Sequence, residues 1–264
     1  MKKKNSNNFE MRMKSYENCY RFYAPARTPL ILRIDGCHFH SFTKGFSKPY
    51  DAALAESMQE TMRKLCENIQ GVKFGYTQSD EISLVLTDYD SLNTTPWFGK
   101  NIQKMCSVAA SMATLFFNDA FRYYSRTPEH YNAIAHKTAI FDCRAFVIPK
   151  EEINNYFWWR QSDCIRNSIS SYAQRFFSQR DLNSVSCDEM KQMLHEIGQD
   201  WEFMPDSYRK GVGCIKVSKN KIFTHPVFKT TETVEKKTWE IDNNVPIFHE
   251  CPEYIKLLVE VKDD

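Results

Sequence analysis

Apolar positions along the chain follow two rhythms, and the switches between them mark the elements. Leu30-Ile31-Leu32-Arg33-Ile34 is a short apolar run that stops at Asp35-Gly36, which predicts a buried strand entering a turn. Leu54, Ala55, Met58, Met62, Leu65 and Ile69 then recur at helical spacing behind Asp51, a residue type suited to cap the helix start. Gly71 marks the exit. Residues 72–76 and 82–86 read as two strands, and the polar stretch 77–81 between them suits a tight hairpin. Residues 87–100 carry Asp, Asn, Thr, Pro and Gly and read as a loop. A long helix is predicted over 101–123, with Ile102, Met105, Val108, Ala109, Met112, Leu115 and Phe116 on its buried side. Residues 139–148 form a fourth strand, stopped by Pro149. The order is β-α-β-β-α-β, an α+β fold of the split ferredoxin-like kind.

Beyond Pro149 the pattern changes. One helix is predicted from 151 to 157 and an amphipathic one over 160–179, with Ile165, Ile169, Tyr172, Ala173 and Phe176 on one face. A further helix is predicted over 186–197 and short strands near 213–217. This divides the chain into an N-terminal lead and first helix (1–27), a catalytic domain (28–150), and a helical or mixed extension packed on it (151–264). The first eight residues are basic and polar and read as a disordered lead. A mitochondrial presequence is the sharper alternative, but no Arg precedes Arg12 and Glu10 intrudes.

Composition narrows the class. The 264 residues are 42% hydrophobic and 26% charged, enough to bury a core. No apolar run approaches the roughly 18 residues that a membrane span needs. The nine cysteines are scattered with no Cys-x-x-Cys pair, which argues against a zinc ribbon and for reduced thiols in the cytosol. A net charge of +2 means that any polyanion partner must meet a local basic surface.

The chemistry rests on two places. In this strand order the first and third strands are neighbours, so Asp35-Gly36 and Ser79-Asp80-Glu81 meet at one end of the sheet. Carboxylates are the ligands Mg²⁺ prefers, alongside phosphate oxygens and water. A pair of such ions serves in-line phosphoryl transfer, as in a polymerase or cyclase palm. The bland alternative is two turn acids with no metal. Thr43, Ser47 and Lys48 follow the first acidic turn, where a lysine can neutralise a triphosphate or simply face solvent. Lys104 carries the same two readings. Arg144, on what reads as a central strand, needs a partner or a function. His38 and His40 flank Phe39; a His-x-His metal pair has no third His or Cys near it in sequence, and His40 reads better as a base or triphosphate contact. Tyr156-Phe157-Trp158-Trp159 reads as core packing or a base-stacking surface. Cys37 is a small buried hydrophobe or a reactive thiol. Arg160, Arg166, Arg175 and Arg180 lie on or beside one helix and form the candidate RNA-binding surface.

Taken together, Arg33-Ile34-Asp35-Gly36-x-x-Phe39-His40-x-Phe42, Phe46-x-Lys48-Pro49, Gln78-Ser79-Asp80-Glu81, Phe141-Asp142-x-Arg144 and Trp159-Arg160-Gln161-x-Asp163-Cys164 resemble the tRNA(His) guanylyltransferase superfamily. The resemblance runs in order from about residue 28 to 175, with an echo at Tyr208-Arg209-Lys210-Gly211. It implies a polymerase-like palm holding two Mg²⁺ on the Asp35 and Asp80 carboxylates and the Gly36 carbonyl, with Asp35, Asp80 and Glu81 as the catalytic carboxylates. It implies 3′-to-5′ nucleotide addition to a tRNA whose 5′ end is first activated with ATP, using GTP or other nucleoside triphosphates. By position, His40, Ser47, Lys48, Asp51, Ser79 and Lys104 contact triphosphates. Arg144, Asn167 and Lys210 help bind the nucleotide or tRNA end. The family forms homotetramers, dimers of dimers.

Two departures refine this. The residue after Gly36 is usually Arg and here is Cys37. The His-Ile-Asn-Asn-x-Tyr-Asn stretch of eukaryotic members is replaced by Ile165-Arg166-Asn167-Ser168-Ile169-Ser170-Ser171. That looks like the Thg1-like branch, whose members repair 5′-truncated tRNAs on a template. The alternative within the class is a tRNA(His) guanylyltransferase adding G at position −1. From other classes stand a palm-type cyclase acting on free nucleotides and a non-catalytic RNA-binding module. The last predicts lost carboxylates, yet Asp35, Asp80 and Glu81 are present.

Overall fold

The computed structural model describes residues 2–126, 136–224 and 231–260. Helix α1 spans Lys2–Asn18, strand β1 Leu30–Cys37, the single-turn helix α2 Phe39–Phe42 and helix α3 Ala52–Asn68. Strands β2 (Val72–Gln78) and β3 (Glu81–Leu86) precede helix α4 (Ile102–Tyr124) and strand β4 (Ile140–Val147). Then come helices α5 (Ile153–Ala173), α6 (Cys187–Glu196) and α7 (Asp206–Lys210), strands β5 (Val212–Thr224) and β6 (Thr231–Asp242), and helix α8 (Glu253–Val259).

The strands form one six-stranded antiparallel sheet in the order β4-β1-β3-β2-β5-β6. Its first four strands are the expected ferredoxin-like order, with β1 and β3 side by side. Because side chains alternate across a strand, β1 feeds two cores. Leu30, Leu32 and Ile34 pack with Ile82, Leu84 and Leu86 under α3 and α4. Ile31 faces the other way, with Phe74, Tyr76 and Val85, against Tyr156 and Phe157 of α5 and Ile255 of α8.

Four expectations need correction. The first residues are not a disordered lead: α1 begins at Lys2. The buried stripe of α4 is rotated from the one predicted. Met105 and Ala109 are inside, but Ala113, Phe117 and Phe121 complete the stripe and Leu115 lies exposed. A helix apolar on several sides leaves its phase to the partners, here Phe39, Phe42 and Phe46. The two helices predicted after Pro149 are one, α5. Its first half packs on the sheet, and its second half packs with Leu182, Leu194 and Trp201 in a separate core, so the apolar pattern changes partners midway. Finally, the short strands near 213–217 belong to a ladder of twelve pairs, Gly213↔Asp242 to Thr224↔Thr231. Of β5, only Val212, Gly213 and Cys214 pair with β2. Among the described side chains beyond them most are exposed, and these show no two-residue apolar rhythm.

Candidate active site

Antiparallel register places directly opposed residues on the same side of a sheet. Arg33 opposes Ser83 and Arg144, and Asp35 opposes Glu81 and Asp142. Six polar residues from three strands therefore share one end of the face whose other end is the α5 core. Polar residues at alternate positions of an otherwise apolar strand, Arg33 and Asp35, were the signal for this patch.

Asp80 joins them from the two-residue connection between β2 and β3. Ser79 turns the chain with φ of 50°, and Gln78 pairs with Glu81 to close the hairpin. The Gly36 amide donates to the Asp80 carbonyl at 3.1 Å, locking the turn to the end of β1. Glycine is required there because a Cβ would lie 2.1 Å from the Phe39 ring. Burial pushes the Asp80 carboxyl above the usual carboxylate range, and the nearby Asp35 and Glu81 charges push the same way. The Ser79 hydroxyl, 3.0 Å away, works in the opposite direction. A group left in such surroundings favours a cation beside it.

Glu81 is enclosed more completely than Asp80. It is buried, accepting from Arg160 Nη1 at 2.9 Å and Ser83 Oγ at 3.2 Å, with Arg33 Nε at 3.3 Å. Arg33 Nη2 in turn lies 3.6 Å from Asp35. Arg160 also pairs with Asp163, which holds Arg166 at 2.6 Å. A chain of alternating charge thus runs Asp35–Arg33–Glu81–Arg160–Asp163–Arg166. This corrects two expectations. Glu81 is the anchor of two arginines rather than a free catalytic carboxylate. Arg160 is 4% exposed and cannot be part of an RNA-binding surface. Residues that the site reading did not single out, Arg33 and Asp163, complete the network.

The loop after β1 is held rigidly. Phe39, Phe42 and Phe46 insert into an aromatic cluster with Phe117, Phe121 and Phe141. Lys137 Nζ donates to the carbonyls of Phe42 and Lys44 at 2.8 and 2.7 Å. Asp51 caps α3 through the Leu54 amide and accepts the Ser47 amide, each at 3.0 Å. His40, Ser47 and Lys48 are exposed on this fixed loop. Between the loop and α5 lies a cavity of about 290 Å³, lined in part by Tyr50, Asp51, Ser79, Asn167, Ser171 and Tyr208. Burial pushes the Cys37 thiol up, helped by Asp142, whose carboxylate accepts from it at 3.6 Å. That disfavours the reactive-thiolate reading.

Lys104 and Lys210 stand apart from the acidic end, and Arg144 shares it from a setting other than the one expected. Lys104 lies on the first turn of α4, with Nζ 4.6 Å from the Phe98 ring. Phe121, which touches the loop after β1, is 17 residues further along the helix, about 25 Å away at 1.5 Å per residue. Lys104 therefore does not join the site within one chain. Arg144 is exposed on β4, an edge strand rather than a central one, so it needs no buried partner. Lys210 is paired with Asp206 at 2.8 Å, and its carbonyl accepts from the Tyr76 hydroxyl at 2.7 Å behind the cavity. Of the aromatic run, Tyr156 and Phe157 are core, Trp158 stacks on His249, and Trp159 is exposed.

The donor set fits Mg²⁺: two carboxylates at one sheet end and an adjacent carbonyl, leaving positions for phosphate and water. Among the described residues no group of three His, Cys, Asp or Glu side chains gathers as a closed metal site. An antiparallel palm with an open acidic end and a cavity beside it defines a nucleotidyltransferase of the polymerase-palm class.

The model of the family described as tRNAHis guanylyltransferase matches residues 10–149. The chain belongs to that family and is a nucleotidyltransferase. The bacterial tRNA(His) guanylyltransferase (Thg1)-like protein solved in complex with ATP is 40% identical, with a TM-score of 0.82 over 96% of this chain and 100% of that one. The bacterial Thg1-like protein solved with GTP is 39% identical, with a TM-score of 0.78 over 96% and 99%. The tRNA(His) guanylyltransferase of Schizosaccharomyces pombe is 26% identical over 217 residues, 75% of this chain and 77% of the relative. Among the described residues no helix is long and apolar enough to cross a membrane.

Proposed function

We propose that this protein adds nucleotides in the 3′-to-5′ direction to the 5′ end of tRNA, copying the opposite strand, and so repairs 5′-truncated tRNAs. The observation that carries the reading is the junction of Asp35 and Asp80 at an open sheet end, tied by the Gly36–Asp80 hydrogen bond and flanked by a nucleoside-sized cavity. Asp35, Asp80 and the Gly36 carbonyl hold Mg²⁺, which when bound neutralises the charge developing on phosphate oxygens. ATP serves to activate the 5′ end, and the triphosphate taken up afterwards is GTP or whichever nucleotide the template calls for. His40, Ser47 and Lys48 meet the triphosphate from the rigid loop. Ser79, Asp51 and Asn167 line the space for the nucleoside, with Asp51 acting through the loop it anchors. Arg144, Arg166, Arg175 and Arg180 are exposed and supply the basic surface for RNA.

Repair is favoured over adding G at position −1 by the segment 165–171. Reading a tRNA by its anticodon takes side chains that stack on and bond to unpaired bases. Here Ile165, Ser168 and Ser170 stand where the His-Ile-Asn-Asn-x-Tyr-Asn pattern has its His, second Asn and Tyr, and Ser168 is buried against the Trp201 indole. The greater likeness to the bacterial Thg1-like protein points the same way. The nine described cysteines are all free, which suits a reducing cytosol.

We also propose a homotetramer. Phe9, Met13 and Tyr16 recur at spacings of four and three on one side of α1 and are exposed, as are Phe22 and Tyr23 after it. A second copy covers such a stripe.

The deciding experiment offers the protein ATP, all four triphosphates and two RNAs: a tRNA lacking its first nucleotide, and tRNA(His) lacking only its extra 5′ guanosine. Restoration of the first, with the nucleotide set by pairing and not by the anticodon, is expected. A strong preference for tRNA(His) that disappears when its anticodon is changed would overturn the repair reading.

A further inference from the structure

Trp159 lies on α5 above the polar end of the sheet and belongs to none of the three cores. Half of it, 51%, is exposed. Yet it is held firmly. The Arg160 guanidinium carbon sits 3.6 Å from the ring centroid, a stacking distance, and the Arg33 guanidinium lies 5.9 Å away. Tyr156 abuts it edge-on at 6.1 Å and 68°. Arg160 is buried and bound to Glu81 and Asp163, so the ring rests on a fixed base. Both guanidiniums are placed by carboxylates: Arg160 by Glu81 and Asp163, and Arg33 by Glu81 and Asp35.

The position is the second half of the observation. Arg33 touches Asp35 on one side and Trp159 on the other, so the indole is one side chain removed from the proposed metal ligand. An exposed, rigid aromatic surface next to a phosphate-handling centre, backed by cations, has the chemistry that receives a nucleobase by stacking. The 290 Å³ cavity lies on the other side, lined by Ser79, Asn167 and Tyr208 and not by Trp159. Two nucleotides meet in a transfer reaction, and the cavity accounts for one of them.

We propose that Trp159 is a stacking platform for a nucleobase, that of the RNA end, which it holds over the Asp35–Asp80 centre. The inference rests on the nucleotide-adding function proposed above. Stacking is tolerant of base identity, because every base has a π-face, so the platform suits an enzyme that takes its sequence from a template.

The test is a cycle of two changes, Trp159→Ala and removal of the base from the reacting RNA terminus by an abasic nucleotide. In the wild type, loss of the base is expected to lower kcat/KM for the RNA about fivefold or more, the scale of a lost stack. In Trp159→Ala the same loss is expected to cost nothing further, and Trp159→Phe should restore sensitivity. A second arm compares binding of a nucleoside triphosphate with that of ribose 5-triphosphate in the same variants. Coupling there instead still makes Trp159 a base platform, but for the incoming nucleotide. Additive effects in both arms would overturn the proposal, as would a Trp159→Ala protein that changes assembly mass while keeping full sensitivity to the base. Wild-type protein inactive on every RNA and triphosphate would sink the proposed function itself, and this inference with it.

Discussion

Two buried ion pairs lie at opposite ends of the sheet, and they differ in what they leave over. At the start of β1, Lys100 and Asp88 meet at 2.9 Å, 4% and 3% exposed. The Lys100 ammonium also donates to the carbonyls of Pro25 and Thr28 at 2.9 and 2.7 Å, and the second Asp88 oxygen takes the Arg27 amide at 2.9 Å. Every polar group is satisfied within the chain, so this pair only ties the loops together. At the other end Arg160 and Glu81 also meet at 2.9 Å, but their network runs on through Arg33, whose Nε lies 3.3 Å from Glu81, and ends on an exposed indole and the Asp35 carboxylate. A closed network stabilises; an open one holds groups ready for something else.

The sharpest break between the two ends comes from the carboxylates. Asp35→Ala and Asp80→Ala should each lower nucleotide addition by about 100-fold or more, since each removes a metal ligand whose charge the transition state needs. Incorporation of radiolabelled triphosphate measures this, with circular dichroism to confirm that the fold persists. Near-normal turnover in either variant would mean the acidic end is not the reaction centre.

Next come the pairs themselves. Lys100→Met leaves Asp88 buried and unpaired and should cost about 3–5 kcal/mol in denaturant unfolding. Its kcat/KM, measured where the variant is folded, should stay near wild type. Glu81→Gln also breaks a buried pair and should cost stability, but unlike Lys100→Met it should lower kcat about tenfold or more, because Arg33 is freed to draw Asp35 away from its metal. Equal losses of activity in both variants would erase the distinction between the two ends.

A smaller effect separates two lysines. Lys48→Ala should raise the KM for triphosphate several-fold as a point charge is lost, while Lys104→Ala should leave it unchanged. A raised KM for Lys104→Ala would show that a partner copy delivers this residue to the site.

Smallest is a surface switch on α6. Asp200, 2.8 Å from His195, raises the imidazole above its ordinary value through hydrogen bonding and charge. The sign follows from linkage: the raised pKa adds stability that is fully present below the unfolded value, about 6.5, and fades as pH climbs through the folded one. NMR titration of Asp200→Asn should return His195 to the ordinary range, and a stability–pH profile that is unaltered by this change near neutrality would remove the link.

The sequence made the four-strand order legible because β1, β3 and the hairpin between them carry strong local signals, and the meeting of Asp35 with Asp80 follows from that order alone. What it could not show are relations across distance. Lys104 looked close to the site because it opens the second long helix, but that helix enters from the far end of the sheet. Arg160 and Arg166 read alike as helix charges, although one is sealed under Trp159 and the other is exposed. Arg144 was misplaced because its strand was read from its local apolar run, although the four-strand order itself puts that strand at an edge. The length of β5 and β6 was hidden because most of their described side chains beyond Cys214 are exposed, and exposed positions leave no apolar alternation to read.

The two-residue turn at Ser79-Asp80 has a consequence for how this chain can change its length. Side chains alternate across the sheet, so one residue gained or lost there would swap Glu81 and Ser83 with Ile82 and Leu84. Charges would then enter the α3–α4 core, and aliphatic groups would face Asp35. The connection from 87 to 96 imposes no such parity, since it joins a strand to a helix. Among descendants of this sequence, insertions should accumulate in the second connection and be absent from the first, leaving the turn as a fixed point of chain length.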